Sequence, residues 1–267
     1  MALSSSTFSK GLHSETEKPG EAFPLETQSI IRDRYEFSAS LCQGNRVLEI
    51  GSGSGFAINY LSGEFSSLTC LEFSNENYDA LKTKKQANVD IHLGDAHEMP
   101  FSDQSFDSVI ALAMIYYLDL EKFLSEVRRV LVPAGTLIFC TSNKDVPGFV
   151  AAPFTTRYYS IPEMAKILSN AGYQPRFYGA FPASSGSLRV RQLKASLKNV
   201  AKFGIQKLPF GPKIWSKMRK STLLDVCPLP DSISVMPPYE GDRIRLPENI
   251  PNTLYRVIYV VAESESL

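Results

Sequence analysis

The run VLEIGSGSGF, residues 47–56, decides how the chain reads. An apolar, β-rich stretch meets three glycines, Gly51, Gly53 and Gly55, and a helical pattern follows. Glycines at a strand-to-helix turn permit positive φ and let a ligand press against the backbone. The spacing is G-x-G-x-G, and Phe56 stands where the dinucleotide fingerprint G-x-G-x-x-G has its last glycine. Glu49, two residues before Gly51, places a carboxylate at the strand end, where it can face an ammonium group and would repel a pyrophosphate. Glu72 ends the next apolar run about 20 residues on, the place where an acid receives ribose hydroxyls in nucleotide-binding α/β sheets. Together these residues favour an adenosine ligand without phosphates.

Outward from this run, strands and helices alternate. Residues 26–41 place Ile30, Ile31, Tyr35, Phe37 and Leu41 at helical spacing and stop at Gly44. Strand-like runs at 46–50, 68–73, 89–93, 106–112, 136–141, 176–181 and 255–262 are separated by helical patterns at 56–61, 75–87, 120–132 and 160–171. The last of these helices opens on Ser160, Ile161, Pro162 and Glu163, a capping-box pattern with proline near its start, and ends at Gly172. Such alternation predicts an α/β fold with a mostly parallel sheet covered on both faces.

Two stretches depart from it. Residues 1–24 are rich in Ser, Glu and Gly and lack an apolar core, so they read as a flexible tail and not as a signal peptide. Residues 184–252 read as an insertion before the last strand. Ten Lys and Arg between 187 and 224 meet no acid before Asp225, with Leu193, Leu197, Val200 and Phe203 at roughly helical spacing, and a Pro-rich stretch follows at 227–238. The expected organisation is a core at 25–183, a basic helical and Pro-rich insertion at 184–252 covering the substrate side, and a last core strand at 253–267.

The totals narrow the function classes. Lys plus Arg equals Asp plus Glu, 28 each, which argues against a surface built throughout for nucleic acid. Cys42, Cys70, Cys140 and Cys227 form no CxxC pair and have no histidine at ligand spacing, so they read as reduced thiols of a cytoplasmic protein with no metal site. No apolar run approaches the ~20 residues that cross a bilayer.

Several ordered stretches between residues 35 and 173 go further: VLEIGSGSG, CLEFS, GDAHEMPF at 94–101, FDSVIALAMIYYL at 106–118, FLSEVRRVLVPAGTLIF at 123–139 and RYYSIPEMAKILSNAGY at 157–173. In this order and spacing the chain resembles the class I S-adenosylmethionine-dependent methyltransferases, in particular their small-molecule, type 11-like subgroup. The resemblance implies a Rossmann-like, seven-stranded, mostly parallel sheet with S-adenosylmethionine as cofactor. It implies that Glu49, Gly51, Ser52 and Gly53 surround the methionine end, that Gly55 also belongs to the cofactor site, that Glu72 binds both ribose hydroxyls and that Phe73 lies against the adenine. Asp95 would accept the adenine amino group, Ala96 would add a backbone contact, and residues 111–114, from Ala111 to Met114, would line the floor near the sulfonium. Departures are PAG at 133–135, where PGG is common, and IYYL at 115–118, where His-His-Leu is frequent.

Methyl transfer from a sulfonium is an in-line displacement, so holding the acceptor in line supplies much of the catalysis, and a base is needed only if the acceptor must lose a proton. His97 is a candidate by residue type, although its place after Asp95 favours a supporting role. Tyr116 and Tyr117 serve equally as candidate catalytic groups or as an aromatic wall. Tyr35, Arg157, Tyr158 and Tyr159 complete the expected acceptor contacts. The basic insertion fits an anionic acceptor, a membrane surface or a solvated cover. A loose likeness of that insertion to methyltransferases of polysaccharide and natural-product pathways leans to transfer onto oxygen or nitrogen of a sugar or natural product. A peptide carboxylate is the near alternative. An idle scaffold that keeps the cofactor pocket and a nicotinamide-dependent oxidoreductase are the remaining ones, and oligomeric state is not readable.

Overall fold

The computed structural model describes residues 17–183 and 226–264. Ten strands and five α-helices follow one another: β1 (Ala22–Pro24), α1 (Leu25–Leu41), β2 (Arg46–Ile50), α2 (Ile58–Glu64), β3 (Ser67–Glu72), α3 (Asn75–Lys82), β4 (Val89–Leu93), β5 (Phe106–Leu112), α4 (Leu120–Val130), β6 (Leu131–Ser142), α5 (Ile161–Asn170), β7 (Tyr173–Pro182), β8 (Val226–Pro228), β9 (Ile244–Leu246) and β10 (Tyr255–Ser264). Eight of the strands form one sheet in the order β4-β3-β2-β5-β6-β10-β7-β9. Strands β2 to β6 are parallel neighbours, whereas β10 runs antiparallel between β6 and β7.

Apolar side chains leave the sheet on both faces, which is why the central strands are continuous hydrophobic runs. On one face Leu48, Ile50, Val109, Leu137 and Phe139 pack against Phe123, Leu124 and Val127 of α4 and Met164 and Leu168 of α5. On the other, Val47, Ile110, Ile138, Tyr259 and Val261 meet Ile31 and Tyr35 of α1, Leu61 of α2 and Leu81 of α3. Helix α5 begins as its sequence predicts. The Ser160 N–H donates to Glu163 Oε2 at 2.7 Å within a capping box, and proline occupies the first turn.

All seven expected strands are present, and the sheet has an eighth. Strand β9 pairs antiparallel with β7, Leu246 against Phe177. Three residues of mixed polarity give no periodicity to read, and only Leu246 is buried. The flexible tail was expected to reach Pro24, but its described end is tied down. Strand β1 pairs with β8, Phe23 against Cys227, and the Gly20 N–H donates to Leu229 O at 2.8 Å. The partner lies some 200 residues away in sequence, so no local pattern announces it. Residues 226–252, placed in an insertion, pack on α1 and on the β7 edge, where Leu229, Ile233 and Met236 are buried. The basic helical expectation at 187–224 lies outside the described residues, as do residues 1–16 of the tail. No helix among the described residues is long and apolar enough to cross a membrane.

Candidate functional site

Strands β2, β3, β4 and β5 run parallel, so their C-terminal ends share one edge of the sheet. The loops that leave them converge on a cavity of about 420 Å³. That volume suits a small molecule, and ligands of open α/β sheets gather at this edge.

The glycine loop forms its floor. Gly51 has φ +72°, and a Cβ there would lie 3.2 Å from Met114 Cγ, so only glycine lets the loop close on the end of β5. Gly53, at φ +57°, donates its N–H to Glu72 Oε2 at 2.8 Å. The Ser74 N–H takes Glu72 Oε1 at 2.8 Å. Glu72 therefore holds the loop that ends β2 to the start of α3. Burial pushes its carboxyl above the ordinary value, and these N–H donors counter the effect.

Glu49 alternates with Leu48 and Ile50 along β2 and so turns to the α1 face of the sheet, beneath the loop and off the cavity lining. It is 3% exposed, and Cys70 Sγ donates to its Oε2 at 3.6 Å. Burial, opposed by Ser52 and Cys70, pushes its pKa up to about 7. From α1, Arg34 and Tyr35 reach the cavity wall. Arg34 is ion-paired with Glu17, whose backbone oxygen accepts from Ser54 Oγ at 3.3 Å. Burial and the nearby charge of Glu49 hold the Tyr35 phenol well above its usual range.

Gly94, Asp95, Ala96 and His97 form the side opposite. His97 Nδ1 lies 2.7 Å from Asp95 Oδ1, and the Asp119 N–H donates to His97 Nε2 at 3.0 Å. Nε2 is thus the bare nitrogen and Nδ1 carries the proton. The imidazole braces the loop after β4 against the start of α4, and both nitrogens are engaged.

Beyond β5 the chain turns sharply. Ala113 sits in the left-handed region at φ +56°, lines the cavity and donates its N–H to Cys140 O at 3.1 Å. Strained non-glycine backbone of this kind gathers at functional sites. Tyr116 and Tyr117 follow as a wall, their rings 4.8 Å apart edge to face. Tyr158 stacks behind Tyr116 at 4.5 Å, and Phe149 meets Tyr158 edge-on. Thr156 fixes this layer, its N–H and Oγ1 both donating to Tyr116 O, at 2.8 and 2.9 Å.

Of the residues expected from sequence, Tyr35, Gly51, Ser52, Gly53, Glu72, Phe73, Asp95, Ala96, His97, Met114, Tyr116 and Tyr117 line the cavity. Glu49 lies beneath it, as described. Gly55 faces Leu81, whose Cδ2 would meet a Cβ at 2.9 Å. Ala111 is buried within β5. Arg157 turns away to Glu163 and lies over the Tyr159 ring, while Tyr158 backs Tyr116, so these three stand behind the wall and not on it. Ala113 lines it too, within the floor expected at 111–114, whereas Glu17, Arg34 and Asn77 were not expected. Arg34 had a signal: a charged residue beside Ile30, Ile31 and Tyr35 on the apolar stripe of a helix. Glu17 had none. Among the described residues no group of three His, Cys, Asp or Glu could hold a metal.

Comparison with known proteins agrees with this geometry. Residues 48–139 match a family model described as a methyltransferase domain. A probable S-adenosylmethionine-dependent methyltransferase of Mycolicibacterium smegmatis is 30% identical, over 52% of this chain and 56% of its own length. A fatty-acid O-methyltransferase of the same organism is 29% identical, over 49% of this chain and 45% of its own. The matched part thus spans about half the length of these relatives. Among solved structures, a methyltransferase from Archaeoglobus fulgidus superposes with a TM-score of 0.57 at 13% identity, covering 89% of this chain and 94% of its own, which shows the shared fold.

Proposed function

We propose that this chain, whose residues 48–139 match a methyltransferase-domain model, is a class I S-adenosylmethionine-dependent methyltransferase that moves a methyl group to an oxygen or nitrogen of a small-molecule acceptor. The observation that carries the reading is the tie of Gly53 to Glu72 at the floor of a cavity whose other wall is Tyr116 and Tyr117.

The residues present fit the cofactor. Gly51 lines the cavity with bare backbone at positive φ, Glu72 offers a carboxylate to a ribose diol, and Asp95, with Oδ1 anchored by His97, offers one to the adenine amino group. Bound there, S-adenosylmethionine would supply an electrophilic methyl group on a sulfonium, with a neutral thioether as its leaving group. The chain's own part is placement: Ala113 and Met114 set the floor, and the tyrosine wall orients an acceptor with an aromatic or aliphatic face, such as a natural product or a sugar. His97 is engaged at both nitrogens, and burial holds the Tyr116 phenol well above its usual range. This favours an acceptor that is nucleophilic as it arrives. A carboxylate acceptor is therefore a second reading, and the fatty-acid O-methyltransferase relative supports it.

The test is calorimetric titration with S-adenosylhomocysteine, with NADH as control, followed by transfer of labelled methyl to sets of hydroxyl, amine and carboxylate compounds. Binding of the first ligand alone is expected. Glu72→Ala should weaken it about ten- to a hundredfold, the worth of charge-assisted hydrogen bonds. Binding of NADH instead, or an unchanged affinity in the variant, would remove the reading.

A further inference from the structure

Helix α1 brings into the cavity a side chain that the glycine loop does not account for. Arg34 is 7% exposed and lines the wall. A guanidinium so far from water needs an anion, and Glu17 is the one it has. The pair is lopsided. The cation is sunk in the wall, whereas Glu17 keeps 30% of its side chain in solvent and lines the same cavity. The contact is also single: one nitrogen, Nη2, reaches one carboxylate oxygen, and the buried Nε has no partner. A guanidinium fork is shaped to hold a carboxylate through two N–H groups. This end of the cavity thus has a guanidinium with a donor to spare. That need matches the carboxylate of an α-amino acid.

We propose that Arg34 anchors the carboxylate at the amino-acid end of the cofactor, and that Glu17 is an internal stand-in which leaves Arg34 when the cofactor arrives. The proposal rests on the reading of the cavity as an S-adenosylmethionine site. The exchange swaps one carboxylate for another, so Arg34 stays paired throughout and Glu17 passes to solvent. The segment that carries Glu17 is pinned by Gly20 to Leu229 and by Ser54 Oγ to Glu17 O, so only the side chain has to turn.

The experiment compares S-adenosylhomocysteine with its decarboxylated analogue by calorimetry, with thermal unfolding of each variant as a check on folding. Arg34→Met is expected to lose about ten- to a hundredfold in affinity for the first ligand and nothing for the second. Arg34→Lys, which keeps the charge, should recover part of the loss. Glu17→Gln should tighten S-adenosylhomocysteine about fivefold, the worth of one partly exposed ion pair removed from competition, and leave the analogue unchanged. Equal losses for both ligands in Arg34→Met would mean that Arg34 only supports the fold, and weaker or unchanged binding in Glu17→Gln would end the exchange. If the unaltered chain binds neither ligand, the cofactor reading falls and this assignment with it; if it binds both equally well, this assignment falls alone.

Discussion

At the scale of the residue, Glu49 shows how a carboxylate can be costly to a fold and useful to a site. Its pKa of about 7 lies above the ordinary 4.5 because burial disfavours the charge and Glu72 adds a like one. Between those two values the folded chain holds a proton that the unfolded chain has released. The stability that protonated Glu49 contributes is therefore lost as pH rises from about 4.5 to 7, by about 3 kcal/mol. Glu49→Gln should gain stability relative to the unaltered chain over the same window, read as a widening difference in melting temperature. Glu49 lies beneath the loop and off the cavity lining, so a ligand ammonium above the loop favours its ionised form through space and not by contact. S-adenosylhomocysteine should then bind more tightly as pH rises through about 7, with proton release seen as a buffer-dependent heat, and Glu49→Gln should flatten both. A pH-independent affinity in the unaltered chain would count against a charged partner at Glu49. The glycines and Glu72 were legible because strand, turn and acid follow one another along the chain. The pairing of Arg34 with Glu17 was not, because nothing local links a helix face to a segment with no pattern of its own.

At the scale of the element, α1 matters because it carries Arg34 and Tyr35, and much of what fixes it lies at the far end of the chain. Asp33 is wholly buried, ion-paired with Arg243 and hydrogen-bonded by the Tyr259 hydroxyl. Arg256 pairs with Glu26, and Arg32 donates to Met236 O at 2.6 Å. Phe37 meets the Tyr259 ring edge to face at 4.9 Å. Arg243→Ala would leave Asp33 buried with only the tyrosine. Breaking a buried pair costs about 3 kcal/mol, and the 28% exposure of Arg243 lowers that to about 2. The melting temperature should fall by about 4–8 °C near neutral pH. Burial already raises the Asp33 pKa above its ordinary value, and loss of the cation raises it further. The deficit should therefore shrink as the pH is lowered and Asp33 takes up its proton. A deficit that does not change with pH would argue for lost packing alone. The helix itself could be read from Ile30, Ile31 and Tyr35, but its clamp could not. Arg243 lies in a stretch of prolines and mixed charge whose only regular element is the three-residue β9, and its contact depends on the whole sheet being formed.

At the scale of the molecule, the cavity joins parts that the chain keeps far apart: the loops after β2, β3, β4 and β5, and α1 with the segment before it. The parallel order of the strands was legible because strand-like runs alternate with helical patterns, and a ligand edge follows from parallel order. The eighth strand and the β1–β8 pair were not, since three-residue strands are selected by their neighbours and not by their own sequence. A ligand that touches all these parts binds only the assembled chain, so its affinity adds to the stability of the whole. At a hundred times its dissociation constant, S-adenosylhomocysteine should add about 2.7 kcal/mol and raise the melting temperature by about 5–10 °C. NADH should add nothing. Amide exchange should slow in the turn at 51–54, at 94–97, and at 112–118, where backbone is now held by single contacts such as Gly53 to Glu72. It should slow too at 30–35 if α1 takes part, and that last effect should vanish in Arg34→Met while the others remain. At the β7–β9 edge, on the far side of the sheet from β4, no slowing is expected. Protection confined to that edge, or an equal rise in melting temperature with NADH, would mean that the ligand sits elsewhere and that the loops converge without forming one site.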